Sequence, residues 1–279
     1  MMSGLASVMR RHPIIAFFVL TFALSWWTIP LYIMGMSPSP LFPGPLLAAL
    51  IVIPVTQGIS GLRELGSRMI RWRVGWRWYA VALGIPLILA AVAVACNVAL
   101  GAPAPSLATL PSLTAVLMVF GIKLINPLNG PMGEEPGWRG LALPGLQASR
   151  SPLVATMILA PIVALWHVPL VFAHMLPPTG LLGAFTFTFV ATWVFNHTGG
   201  SVFMTLLMHA AEGTLGLLAG TVLVGAALVQ LAWVYPVVWL VVAIGLVIFD
   251  WKFWRGPAAA GATTPAVIPP REAAPAAPA

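Results

Sequence analysis

Apolar residues run in eight long stretches, at roughly 14–34, 44–60, 78–101, 110–132, 152–174, 181–196, 201–220 and 225–249. Each approaches the ~20 helical residues needed to cross a hydrocarbon core about 30 Å thick. The pattern predicts an all-α polytopic membrane protein with about eight transmembrane helices. The stretch from 110 to 148 is too long for one straight span, so it must kink, tilt or protrude. Residues 61–77 break the apolar pattern by alternating bulky and basic side chains, which predicts a segment in the headgroup layer. Trp72, Trp76 and Trp78 would anchor it, with arginines toward anionic lipid. The organisation expected is N-terminal helices over 1–109, a core carrying the polar site over 110–220, a last helix within 221–256, and an Ala/Pro-rich tail over 257–279. That tail is too poor in apolar side chains to fold.

Composition agrees with the pattern. The 279 residues are 60% hydrophobic and 7% charged, against about 25% charged residues in soluble domains. Lys and Arg fall at alternate connections. Arg10 and Arg11 precede the first stretch, and Arg63, Arg68, Arg71, Arg73 and Arg77 follow the second. Arg150 follows the fourth, and Lys252 and Arg255 follow the last. Because basic residues accumulate in cytoplasmic loops, both termini are expected on the cytoplasmic side of the cell membrane. The net charge of +7 is then a topological signal, with no nucleic-acid partner required. The first stretch is read as a retained helix, being too long for a signal peptide. The lone Cys96 forms no internal disulfide and is expected as a small buried hydrophobe.

Polar groups at membrane depth cost free energy and mark functional sites. They converge on three segments here: Glu134, Glu135 and Arg139; His167; and His209 with Glu212. If the fourth and fifth stretches form a hairpin turning near Arg150 and Ser151, Glu134 and His167 each lie about 25 Å from the turn at ~1.5 Å per residue. They should meet at one depth. Glu135 and Arg139, at i and i+4, can pair across one turn. Pro136 and Gly137 are expected to interrupt the helix and free backbone groups for a wet cavity. Three carboxylates facing one arginine leave about two charges to be met by protonation, imidazolium or a cation. A carboxylate beside histidine suits activation of water. Glu134, His167 and His209 also suit zinc, so a zinc-bound and a metal-free site both stay open. Lys123 lies inside the fourth stretch, where it either snorkels outward or enters the site. His12, His174 and His197 are expected at the interfaces.

At these residues the sequence resembles the CAAX protease and bacteriocin-processing family of intramembrane endopeptidases, also called the Abi family. The Glu-Glu-x-x-x-Arg motif is matched by Glu134, Glu135 and Arg139. The second motif ends in His167, with Val163 at its aromatic position. The third, His-x-x-x-Asn, begins with His209 and has Gly213 in place of Asn. The resemblance covers roughly 110–220 and implies hydrolysis of prenylated or hydrophobic peptides within the lipid. It implies Glu134 as general base with His167, and His209 as oxyanion donor alongside the Asn that Gly213 replaces. Glu135, Arg139 and Glu212 would support them. The alternative is a catalytically weak member acting as a membrane immunity or scaffold protein. A proton-coupled carrier is a third reading, disfavoured by the lack of an evident internal repeat. Oligomeric state is not encoded in any feature of the chain.

Overall fold

A computed structural model describes residues 2–128 and 130–256, so the tail expected over 257–279 lies outside the described residues. The chain enters through α1 (Met2–Arg11), α2 (Pro13–Trp26) and the short α3 (Ile29–Ile33), then forms α4 (Gly44–Met69), α5 (Trp76–Ala99) and α6 (Leu113–Ile125). It continues through α7 (Pro131–Gly137), a π-helical segment (Trp138–Ala142) and α8 (Leu143–Gln147) into α9 (Pro152–Trp166) and α10 (Val168–Phe172). It closes with α11 (Gly180–His197), α12 (Val202–Val222), α13 (Gly225–Phe249) and α14 (Trp251–Arg255). No strand occurs among the described residues.

Among the described residues, six stretches are long and apolar enough to cross a membrane: Pro13–Ile33, Gly44–Met69, Trp76–Ala99, Pro152–Phe172, Val202–Val222 and Gly225–Phe249. The other two predicted stretches form shorter helices, α6 with 13 residues and α11 with 18. The protein is therefore an all-α polytopic integral membrane protein. Large apolar side chains such as Leu87, Ile88, Val229, Trp233 and Val241 point outward, the surface that lipid rather than water requires.

Local chemistry sets the helix starts. Ser112, Ser151 and Ser201 cap α6, α9 and α12, each hydroxyl accepting from the backbone N–H three residues on, which satisfies a donor the first turn would leave unpaired. Within α4, Gly58 adopts φ 66°, ψ −161° and breaks the helix into two pieces. The apolar piece ends close to the predicted boundary at residue 60, and the basic segment begins beyond the kink.

That segment is only partly interfacial. Trp72 and Trp76 are exposed as expected, but Trp78 packs at a tilt against Trp193 with ring centroids 5.2 Å apart. Arg68 is buried, donating from Nε to Glu64 at 2.8 Å and lying over the Phe195 ring. Arg71 donates to the Gly199 carbonyl, and its own carbonyl accepts from Ser201 Oγ at 2.7 Å. Two of the arginines therefore bind protein, staples between the α4 end and the α11–α12 turn. Cys96 corrects a second expectation: it is exposed on α5. Its neighbour Asn97 is the buried residue, donating to the Ala227 carbonyl at 3.0 Å and tying α5 to α13.

α11 is the axis of the bundle, buried almost continuously from Thr186 to Asn196 and packed between α9, α12 and α13. On one side α2, α4, α7 and α9 enclose a core that includes Phe17, Val52, Trp138, Leu159 and Trp166. The polar site sits at the edge of this core.

Candidate active site

The long stretch from 110 to 148 divides between α6, which ends at Ile125, and α7, which Gly130 precedes at φ 67°. The break lies before the carboxylates. Pro136 and Gly137 do not interrupt the helix as expected; the chain runs on through the π segment, where the Leu143 N–H donates to the Trp138 carbonyl. Wide π turns of this kind are rare and recur at functional sites. Here the turn carries Arg139.

α7 is pressed against the start of α4. A Cβ on Gly137 would collide with the Pro45 carbonyl, and one on Gly133 would lie 2.6 Å from the Pro127 carbonyl oxygen and 2.8 Å from Pro43 Cβ. Only glycine permits this approach. It buries Glu134 and Glu135 side by side at the helix start.

The two carboxylates have different partners. Glu135 is fully buried, and its Oε1 accepts from Arg139 Nη1 at 2.9 Å and from His209 Nδ1 at 2.9 Å. The Arg139 guanidinium in turn lies over the Phe187 ring, 5.4 Å from its centroid. His209 packs against the same ring at 4.9 Å. Glu135 is thus the junction of α7, the π segment, α11 and α12. Glu134 instead faces His167, with Oε2 3.8 Å from Nε2. The hairpin arithmetic brings these two together as predicted, whereas His209 reaches the neighbouring glutamate.

Both rings are fixed in the same sense. His167 Nδ1 lies 2.8 Å from the Val163 carbonyl; a carbonyl only accepts, so Nδ1 carries hydrogen and Nε2 faces Glu134. Val163 therefore orients His167 through its backbone, while its side chain packs in the core. His209 likewise donates from Nδ1 to Glu135 and keeps Nε2 for another partner. Behind them, Trp166 packs edge-on against His167 at 4.8 Å and donates from Nε1 to Ser25 Oγ at 2.6 Å. Trp138 wedges between Phe17 and Trp166. These supports on α2 carry no titratable group, so no pattern of ionisable residues in the sequence points to them.

Glu212 is half-buried on α12, three residues beyond His209. Lys123 turns inward on α6, a second cation that the sequence left undecided. Among the described residues, no group of three or more His, Cys, Asp or Glu is arranged to hold a metal ion. Glu134 with His167, and Glu135 with His209, stand as two separate pairs. Of the remaining histidines, His12 and His174 are exposed. His197 is half-buried and paired with Asp250 at 3.0 Å.

The polar site of this integral membrane bundle sets a buried glutamate against an imidazole. Residues 114–215 match the family model Rce1-like, type II CAAX prenyl endopeptidase Rce1-like, so the resemblance to the CAAX protease family holds over the segment that contains every residue of the site. Comparison with curated proteins finds no match.

Proposed function

We propose that this protein is an intramembrane endopeptidase that hydrolyses prenylated or hydrophobic peptides, with Glu134, His167 and His209 as catalytic residues. The observation that carries the reading is the Glu134–His167 pair, whose facing atoms are 3.8 Å apart within the Rce1-like segment. That separation is too long for a direct hydrogen bond and lets one water touch both groups at normal distances. Glu134 takes a proton from the water as its oxygen bonds to the scissile carbonyl carbon. The proton then passes to the departing amine as the C–N bond breaks, giving a new carboxylate and a free amine. His167 orients the water through Nε2. With a second proton on Nε2, His209 donates to the oxyanion while Nδ1 stays on Glu135.

The substrate class is supported by the apolar surroundings of the site and by the prenyl endopeptidase description of the matching family. The arginine distribution supports a cell-membrane protein with both termini cytoplasmic. Nothing in the comparison favours the binding-only alternative.

Cleavage of farnesylated and plain hydrophobic peptides by detergent-purified protein tests the reading. Wild type is expected to cleave, and Glu134→Ala to lose activity by at least about 100-fold, the scale of general base catalysis. Undiminished cleavage in Glu134→Ala would sink the mechanism. Loss of wild-type activity on adding a chelator would show that a metal is required, and retention that none is.

A further inference from the structure

On α12, His209 and Gly213 are four residues apart and share a face, about 6 Å apart along the axis. His209 fills its part of that face with an imidazole. Gly213 offers no side chain, and the space above it is taken from the neighbouring helix: a Cβ built on Gly213 would lie 3.2 Å from Lys123 Nζ and 3.4 Å from its Cδ and Cε. The lysine stem lies along the glycine, and its ammonium stands beside the position from which a longer residue at 213 would reach into the site.

The placement is not that of a snorkelling lysine. Leu117, Met118, Ile122 and Ile125 form the exposed face of α6, while Lys123 follows Phe120 by three residues and precedes Leu124, both packed against the core. Among the described residues, Lys123 makes no hydrogen bond and no ion pair within 4.0 Å. Glu212, the residue before Gly213, is the carboxylate nearest to it in the α12 sequence. A half-buried ammonium with its donors uncommitted, lying against Gly213 of α12, which is next in sequence to Glu212 and one turn from His209, is placed to meet a negative charge that forms only during reaction. Three rotatable N–H donors suit that role.

We propose that Lys123 is a further catalytic residue, whose ammonium occupies the Gly213 gap and stabilises the oxyanion of the attacked peptide carbonyl together with His209. The inference rests on the endopeptidase reading. It requires no new bond: the oxyanion gains a charged donor as the water oxygen adds to carbon, and loses it when the C–N bond breaks and the carbonyl re-forms. It also explains how a chain with glycine at 213 keeps a donor on that side.

The test compares wild type, Lys123→Met, Lys123→Gln and Lys123→Met/Gly213→Asn, each checked for monodispersity. Two readouts apply: peptide cleavage, and binding of a farnesylated phosphinate peptide that mimics the tetrahedral anion. Removing one oxyanion donor costs about 10²–10³ in kcat. Lys123→Met is expected to lose about 100-fold in kcat with KM little changed, and to bind the phosphinate correspondingly more weakly. Restoring an amide in the double variant is expected to recover at least about tenfold, which a structural role for the lysine would not produce. Glu212→Gln separates oxyanion contact from mere charge balance: if Lys123 only neutralised Glu212, Lys123→Met would cost nothing in that background. Active wild type with Lys123→Met equally fast overturns the lysine's role and leaves the endopeptidase reading intact. A wild type that cleaves nothing in the panel overturns the endopeptidase reading, and the phosphinate still judges the lysine: wild-type binding that is absent, or equal in Lys123→Met, overturns it.

Discussion

Glu135 and Glu134 are adjacent in sequence, yet their surroundings give them opposite work. Glu135 Oε1 already serves two donors, so its charge is spent on holding α7, the π segment and α12 together. Removing one partner of a buried pair leaves an uncompensated charge and costs about 3–5 kcal/mol. Arg139→Leu is therefore expected to lower the thermal midpoint of the detergent-purified protein by many degrees and to reduce its yield. His167→Ala removes a ring that borders the site and is expected to leave the midpoint nearly unchanged while abolishing cleavage. Comparing melting curves with turnover for the two variants checks the division. The Glu135–Arg139 pair was legible from helix spacing alone. The His209–Glu135 contact was not, because the depth of His209 on α12 is compatible with either glutamate. Lys123 was undecidable for a similar reason: one cation near a helix end looks the same whether it turns to water or inward.

At the scale of elements, the seam between α4 and α7 decides where the carboxylates stand. Gly137→Ala drives a methyl into the Pro45 backbone, and overpacking of this kind costs about 1–3 kcal/mol. The expected outcome is lower stability together with lower kcat, since the displacement acts on the helix that carries Glu134. Gly66→Ala, in the same α4 and meeting nothing within 4 Å, is the control. It is expected to be neutral or to stabilise by up to about 1 kcal/mol from helix propensity, read from the same melting curves. The sequence announced a bend somewhere in the 110–148 stretch through its length. It did not locate it, because Pro136 and Gly137 attract attention while the chain turns at Pro127 and Gly130. The π segment has no composition signature of its own; it follows from packing against the α2–α4 layer.

Across the whole molecule, apolar stretches translated directly into helices, since a lipid solvent forces backbone groups to pair within each segment. The two shorter helices border the polar site: α6 brings Lys123 against Gly213, and α11 brings Phe187 against Arg139 and His209. Topology has its own test. With Cys96→Ala removing the exposed native thiol, a cysteine replacing exposed Ser106, in the connection between α5 and α6, is expected to react with a membrane-impermeant maleimide in intact cells. One replacing exposed Ser149 is expected to react only after permeabilisation. The reverse pattern would invert the orientation inferred from the arginines.

The indole of Trp166 donates to Ser25, and Trp138 is wedged against Phe17, so the wall behind the histidine is built from residues far upstream of 114–215. That stretch is consequently not a cassette. A chimera transplanting it onto foreign N-terminal helices would bring every acid and imidazole along and still leave an indole N–H without its acceptor and a tryptophan face without its phenylalanine. Recombination in this chain is productive only when the entry helix travels with the site it props.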